Sequence, residues 1–579
     1  MKQPVTLPTP ACDLRKSTVM KPLWLCVWSF GMSLTWLLPN HYPPWPASHM
    51  DAWAAIMLAL AAVSVICRST AKSSYKGVPL VVAGMCLIVA VQYAAGMIYF
   101  AGTAWISIAY MSGFALAVVI GRMWEASTPG QLGDALFLAV VVASVISVGL
   151  QFYGWFGLEG LGVWSMNLAT GRPYANFGQP NQLATFLLWG VLGLVWAKKR
   201  GYIGPVIATL SSAYLLFGVA LTGSRTAWVA VALLALGSWY WRKFLWGQKR
   251  SYWVAISLGL YFTVCCWCVG WVNELLQLSM MDPFERGLMT TGRRAEIWSA
   301  LVNAALTRPM LGFGWNQVTS IQFNHTDPTL ALNNVFAHSH NLVLDFALWA
   351  GIPFAFVVAV FFARWLFTHL SQAFSAEKAL LLMVVVVTAN HAMLELPLHY
   401  AYFLLPLGLV MGAVDEHSTR VKDQRPNFVR RSRILTSVIW SLAILVLVLV
   451  VRDYRKIERS YEQLRFRQVN PDLYPPPEIP HLLLLTQWQG FFWLTNFEPT
   501  STVTDAQLTQ MLELTNIFPS AGSAQKTATA LVERGRQSEA KSMLIRACRV
   551  NSASQCEALR AAWAHQAKQN KKIAFNHWP

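Results

Sequence analysis

Ile434-Leu435-Thr436-Ser437-Val438-Ile439-Trp440-Ser441-Leu442-Ala443-Ile444-Leu445-Val446-Leu447-Val448-Leu449-Val450-Val451 carries no charged side chain, and Arg430, Arg431 and Arg433 stand immediately before it. At about 1.5 Å of rise per residue a helix over this stretch nearly matches a hydrocarbon core of roughly 30 Å. The three arginines read as a stop signal facing anionic lipid headgroups rather than as a nucleic-acid patch. Upstream of this run, largely apolar segments recur from residue 22. In lipid, unpaired backbone groups have no water to bond, so such segments are helical or shielded by helices.

The reading is an all-α polytopic membrane protein with about thirteen transmembrane helices. They are placed at 22–38, 50–67, 78–96, 101–121, 132–150, 181–197, 203–221, 226–241, 252–270, 341–362, 378–394, 400–414 and 434–451. The first is not expected to be a cleaved signal, because Trp24, Trp28 and Trp36 run into Leu38-Pro39-Asn40. The bulk figures agree: 579 residues, 55% hydrophobic, 27 Trp and a mean hydropathy of +0.41.

Orientation follows from the short basic segments, namely Arg15/Lys16/Lys21, Arg68/Lys72/Lys76, Lys198-Lys199-Arg200, Arg242/Lys243 with Lys249-Arg250, and Arg420 through Arg433. With thirteen spans all of these fall on one side, which the positive-inside tendency makes cytoplasmic. The far side, periplasmic in a Gram-negative cell, then receives 151–180, 222–225, 271–340, 395–399 and everything from 452 onward. This divides the chain into a transmembrane domain over 1–451, a large loop at 271–340 within it, and a helical, repeat-like tail over 452–579. The net charge of +18 is explained by this topology, and no nucleic-acid partner is expected. The partner of so apolar a chain is the lipid bilayer.

In the tail, helical stretches are expected around 453–467, 503–515, 524–535, 538–549 and 553–568, with Gly535 as a hairpin joint. Such a module could hold a protein acceptor or cap the membrane domain. Cys548 and Cys556 lie eight residues apart on the oxidising side, where they pair as a disulfide or remain as thiols. Cys265, Cys266 and Cys268 fall in an apolar span and read as small hydrophobes.

The far-side segments carry the chemistry. Gly171-Arg172-Pro173-Tyr174-Ala175-Asn176-Phe177-Gly178-Gln179-Pro180-Asn181-Gln182 gathers amides at the start of a span, where they suit sugar hydroxyls or phosphate, or merely connect helices. Arg225 sits in the short turn Leu221-Thr222-Gly223-Ser224-Arg225-Thr226. There it either snorkels or offers paired donors to a lipid-linked phosphate. Gly292-Arg293-Arg294 opens a helix in the large loop; Arg293, next to the glycine, is favoured over Arg294 for an anion, against two solvated arginines.

His338-Ser339-His340-Asn341 stands just before an apolar run. With a helix starting near Asn341, His340 lies at its N-terminus, where the dipole favours the neutral imidazole that can take a proton from an attacking hydroxyl. Surface histidines and a metal pair are the alternatives, and no third ligand at standard spacing supports the metal. His391, Glu395, His399, Tyr400 and Tyr402 form a last cluster, which could orient the base, hold an acceptor, or anchor the chain in the aromatic belt.

Taken in order, Ser224-Arg225, Gly292-Arg293, Leu311-Gly312-Phe313-Gly314-Trp315-Asn316 and His338-Ser339-His340-Asn341 resemble the O-antigen ligase/polymerase superfamily. Phe177-Gly178-Gln179-Pro180-Asn181-Gln182, Glu395-Leu396-Pro397-Leu398-His399-Tyr400 and the tail resemble its bacterial O-oligosaccharyltransferases, which glycosylate pilins and other periplasmic proteins. The resemblance implies transfer of an oligosaccharide en bloc from undecaprenyl-pyrophosphate to a Ser or Thr hydroxyl, with no cofactor and no metal. It assigns the pyrophosphate to Arg225 and Arg293, with Arg294 as alternate, and the base to His340, with His338 as fallback. Arg172, Gln179, Asn181, Gln182, Glu395, Tyr400 and Tyr402 are the expected glycan or acceptor contacts.

The chemistry alone reaches the same scheme. Pyrophosphate is already a good leaving group, so cations on its oxygens and one base on the incoming alcohol are enough. Direct displacement inverts the anomeric centre, whereas retention needs a nucleophilic carboxylate, for which Glu296 and Glu395 are the candidates. Rival readings are an O-antigen ligase acting on lipid A-core, a polymerase of repeat units, and a transporter. The transporter reading expects polar groups at mid-membrane and internal symmetry, and the sequence shows neither.

Overall fold

The computed structural model describes residues 22–39, 43–68, 74–165, 171–247, 251–278, 294–325, 334–419, 429–498 and 503–569. Among these every regular element is helical. In chain order they begin with α1 (Pro22–Leu37), α2 (Ser48–Arg68), α3 (Val78–Ala94), α4 (Ala101–Ser127), α5 (Gln131–Trp155), α6 (Pro180–Lys199), α7 (Pro205–Leu221), α8 (Arg225–Tyr240), the short α9 (Arg242–Leu245) and α10 (Ser251–Leu275). Next come α11 (Arg294–Thr307), α12 (Val318–His325), α13 (Leu342–Ala350), α14 (Ile352–Ser371), α15 (Ala376–Ala392) and α16 (Ala401–Thr419). The remainder are α17 (Val429–Val469), α18 (Thr486–Asn496), α19 (Asp505–Ile517), α20 (Ala521–Glu533), α21 (Gln537–Val550) and α22 (Ala553–Gln569). Proline in the first turn starts α3, α6, α7 and α14, where a missing N–H costs no helical bond.

The chain is a multi-pass membrane protein. Among the described residues seven helices are long and apolar enough to cross a bilayer, and α1, α3 and α7 are shorter apolar helices. The α4 helix runs past residue 121 to Ser127, because its two charges are matched: Arg122 pairs with Asp415 of α16, and Glu125 accepts the Gly130 N–H at 2.9 Å. Against α4 lies α16, and the close approach uses glycine. A β-carbon at Gly412 would sit 2.2 Å from the Val118 carbonyl oxygen. With no hydrophobic force between helices in lipid, such small-residue contacts carry the packing.

The run 341–362, expected as one span, is two helices. Gly351, at φ 93°, ends α13, and a β-carbon there would lie 2.3 Å from the Met310 carbonyl oxygen. The Pro309–Gly314 turn clasps this break: Phe313 N–H donates to Leu348 O at 2.7 Å, Gly314 N–H to Trp349 O at 3.0 Å, and Ile352 N–H to Pro309 O at 2.7 Å. Carbonyls left over at the end of α13 are satisfied in this way. The glycines of Leu311-Gly312-Phe313-Gly314 therefore serve as a helix clasp.

After the membrane helices, α17 continues without interruption through residue 452 into polar sequence. Asp453 accepts the N–H groups of Leu483, Leu484 and Leu485 at 2.9, 2.6 and 3.2 Å, folding the following strap back onto α17. The tail core gathers Met511, Leu514, Ala528, Leu531, Leu544 and Trp563 with Phe323 of α12. Gly535, at φ 74°, joins α20 to α21 as expected. Helix α18 is an addition to the expected set. Cys548 and Cys556 are disulfide-bonded, which settles the open choice between bridge and thiols.

Candidate active site

His340 is held in the left-handed region, at φ 61°, by a turn with no slack. Histidine tolerates that region better than most side chains. Before it, Ser339 N–H donates to Asp345 Oδ1 at 2.7 Å, and Ser339 O accepts from Trp298 Nε1 at 2.8 Å. After it, α13 starts beside Asn341 as expected, and Asn341 caps it, its Oδ1 accepting from Val343 and Leu344 N–H at 3.1 and 3.0 Å. The Asn341 amide also donates to Met393 O at 3.1 Å, tying this turn to the end of α15.

That tie brings Glu395 to the histidine. His340 Nδ1 lies 3.0 Å from Glu395 Oε2, with Glu395 4% exposed and the His340 side chain 19% exposed. The same carboxylate accepts from Gln179 Nε2 on Oε2 and from Asn181 Nδ2 on Oε1, each at 3.0 Å. Asn181 Oδ1 in turn accepts from Ser224 Oγ at 2.7 Å, and Arg172 Nη2 lies 3.5 Å from it. Donors on Oδ1 fix the amide orientation, so Nδ2 must face the carboxylate. Ser224 also caps α8, whose first residue is the half-buried Arg225. One hydrogen-bonded chain thus runs from His340 through Glu395 and Asn181 to Ser224, the residue before Arg225.

Four other expected contacts are Tyr402, Gln182, Arg172 and Tyr400. Tyr402 is fully buried and its hydroxyl donates to Gln182 Oε1 at 2.6 Å, with Gln182 1% exposed. Arg172, 7% exposed, donates from Nε to Thr222 O at 2.8 Å. The Tyr400 ring packs tilted against that of Tyr402, ring centroids 5.2 Å apart. Arg293 lies outside the described residues, and Arg294 begins α11.

The His338 ring lies 4.4 Å from that of His340 and 5.9 Å from His399, all outside the membrane-spanning segments. Burial, with the neighbouring His399 and His340 adding to it, holds His338 well below the usual imidazole range; burial alone lowers His399 to about 4. Among the described residues His338 Nδ1 is buried without a hydrogen-bond partner. His399 borders an apolar cavity of about 570 Å³, also lined by Phe114, Trp315, Phe346, Trp349 and Leu398.

Chemically, a carboxylate on Nδ1 keeps the imidazole proton there and leaves Nε2 as the acceptor for an incoming hydroxyl. Sequence reading missed Asp345, whose signal was an acidic residue one turn inside an apolar helix. It also missed Ser224 as the link to Asn181, which no local pattern announces.

Three stretches match family models. Residues 173–196 match "Protein glycosylation ligase", 210–359 "O-Antigen ligase", and 379–564 "Virulence factor membrane-bound polymerase, C-terminal". Each supplies members of the same network: Asn181 from the first, Ser224 and His340 from the second, Glu395 from the third. A General O-oligosaccharyltransferase of Acinetobacter baylyi is 29% identical over 537 residues, 89% of this chain and 90% of that protein. These matches support a bacterial O-oligosaccharyltransferase of the O-antigen ligase superfamily. Another member, a ComP-specific O-oligosaccharyltransferase of the same organism, is 29% identical over 256 residues, 43% of this chain and 45% of that protein. Members of this family are glycosyltransferases, and the chain is one.

Proposed function

We propose that this enzyme transfers an oligosaccharide en bloc from undecaprenyl-pyrophosphate to a Ser or Thr hydroxyl of a translocated protein, with pilin-like proteins among the acceptors. The observation that carries the reading is the His340–Glu395 pair held at 3.0 Å inside a network drawn from all three family matches. In this scheme His340 Nε2 takes the hydroxyl proton as the oxygen attacks the anomeric carbon. Arg225, with Arg293 or Arg294, neutralises the charge that grows on the departing pyrophosphate.

Both oxygens of Glu395 are engaged by Gln179, Asn181 and His340. A carboxylate so occupied orients its histidine and is poorly placed as a nucleophile, which favours single displacement with inversion. Gln182, Tyr400, Tyr402 and Arg172 act as the frame beneath Gln179 and Asn181. The apolar cavity beside His399 has the right chemistry for an isoprenoid chain. The site is assigned to the periplasmic face of the inner membrane, with 1–451 as the transferase domain, 271–340 as its catalytic loop and 452–579 as a periplasmic tail.

The test supplies purified enzyme with an undecaprenyl-pyrophosphate oligosaccharide and, separately, a pilin-like protein or lipid A-core. Glycan on protein Ser or Thr supports the reading. Glycan on lipid A-core alone moves the chain to the O-antigen ligases, and lengthened lipid-linked glycan with neither acceptor used moves it to the polymerases.

A further inference from the structure

Between the tail and His340 lies α12, and it is gripped from both sides. On the tail side, Arg549 of α21, 8% exposed, donates from Nη2 to Phe323 O at 2.9 Å and to Gln322 O at 3.4 Å. Asn324 of α12 donates to Asn516 Oδ1 at 2.9 Å and accepts from Arg546 Nη1 at 2.5 Å. Phe323 is buried in the tail core itself. On the catalytic side, Gln322 donates to Asn334 O at 2.5 Å and accepts from Phe336 N–H at 2.8 Å, while Thr319 Oγ1 donates to Phe336 O at 3.2 Å. The Phe336 ring stands 5.9 Å from the His340 ring.

Carbonyls near the end of a short helix are poor anchors alone, and a guanidinium spanning two of them fixes the helix end in position and rotation. We propose that the tail is a brace for the catalytic turn, in which Arg549 holds α12 and Gln322 passes that position to the segment carrying His338 and His340. Arg549 and Gln322 are thus positioning residues. The inference rests on the reading of His340 as the base. It gives the tail a task in the chemical step, beyond any grip on the acceptor.

Hydrogen exchange and transfer kinetics on the full chain in lipid nanodiscs test it together. In Arg549→Ala the Phe336 amide should exchange about tenfold faster, and kcat should fall about tenfold with KM for the lipid-linked donor within about twofold. Arg549→Lys, which keeps one cationic donor, should recover part of both losses. The double variant Arg549→Ala/Gln322→Ala should be little worse than Gln322→Ala, since both break one chain of contacts. Thr527→Val is the control for tail stability: it removes the buried hydroxyl contact to Thr515, at 2.7 Å, inside the tail. It should leave the Phe336 amide and kcat near wild type.

Unchanged exchange and kcat in Arg549→Ala would overturn the brace, as would an equal loss in Thr527→Val or a change confined to KM for the protein acceptor. Hydrogen exchange reads the brace without activity. Wild-type transfer by His340→Ala would defeat the assignment of the base and leave the exchange result to stand separately.

Discussion

Asn181 and Glu395, 214 residues apart in sequence, meet through Nδ2 and Oε1 at 3.0 Å, and this contact sets the register between the amide-rich start of α6 and the segment after α15. Asn181→Ala removes one donor from the buried carboxylate, whereas Asn181→Asp sets a second carboxylate against it. Like charges at that distance repel strongly away from water. Transfer should fall about tenfold in the first and about a hundredfold in the second. Initial rates at saturating donor check the order, and an aspartate variant more active than the alanine variant contradicts it.

Glu395→Gln keeps the shape of the site and removes the charge that holds the proton on His340 Nδ1. An amide in that place can present its NH₂ to Nδ1 and select the wrong tautomer, so kcat should fall by about 10² to 10⁴ with donor affinity little changed. Donor binding and single-turnover rates separate the two quantities.

His399 is held neutral by burial, at about 4 against an ordinary 6.5, so the unfolded chain binds more protons between those values. The stability this gives is complete above pH ~6.5 and is lost as pH falls toward ~4. Since His399 borders the cavity, the full linkage of about 3 kcal/mol is an upper bound and roughly 1–2 kcal/mol is expected. His338, also lowered, acts in the same direction. Thermal unfolding from pH 7.5 to 5 should show a shallower fall for His399→Phe than for wild type.

The Cys548–Cys556 bridge closes a short loop across the α21–α22 joint. By the chain-entropy model a loop of this length contributes about 2–3 kcal/mol. Reduction, or Cys548→Ala/Cys556→Ala, should lower the melting transition of the tail by several degrees, read by calorimetry in detergent.

Gly412→Ala drives a β-carbon toward the Val118 carbonyl at the α4–α16 crossing. Backbone cannot yield as a side-chain end can, so a loss of about 1–3 kcal/mol or failure to accumulate in membranes is expected. Gly84, which has open space around it, is the matched control.

Much of the helical order was legible because lipid imposes one rule on every residue it touches, and apolar runs such as 132–150 and 434–451 have no soluble reading. The break at Gly351 was not legible, since it is made by a turn some forty residues earlier that supplies N–H donors to α13. In α18, Gly490 and a dense aromatic run hide the helix; a β-carbon at Gly490 would lie 2.7 Å from Leu514 Cδ2, so the glycine serves packing. At the site, residue types were readable: amides at 179–182, a histidine ahead of a helix, an acid at 395. Which of them face inward was not, because Tyr402, which meets Gln182, and Glu395, which meets Asn181, lie more than two hundred positions away.

The central claim, that His340 is the base for transfer to a protein hydroxyl, is tested most directly by the initial rate at which intact glycan appears on acceptor Ser or Thr, followed by mass spectrometry for wild type and His340→Ala. Loss of general base catalysis should lower that rate by about 10² to 10⁴, with donor binding retained. A His340→Ala enzyme working within about twofold of wild type would contradict the account.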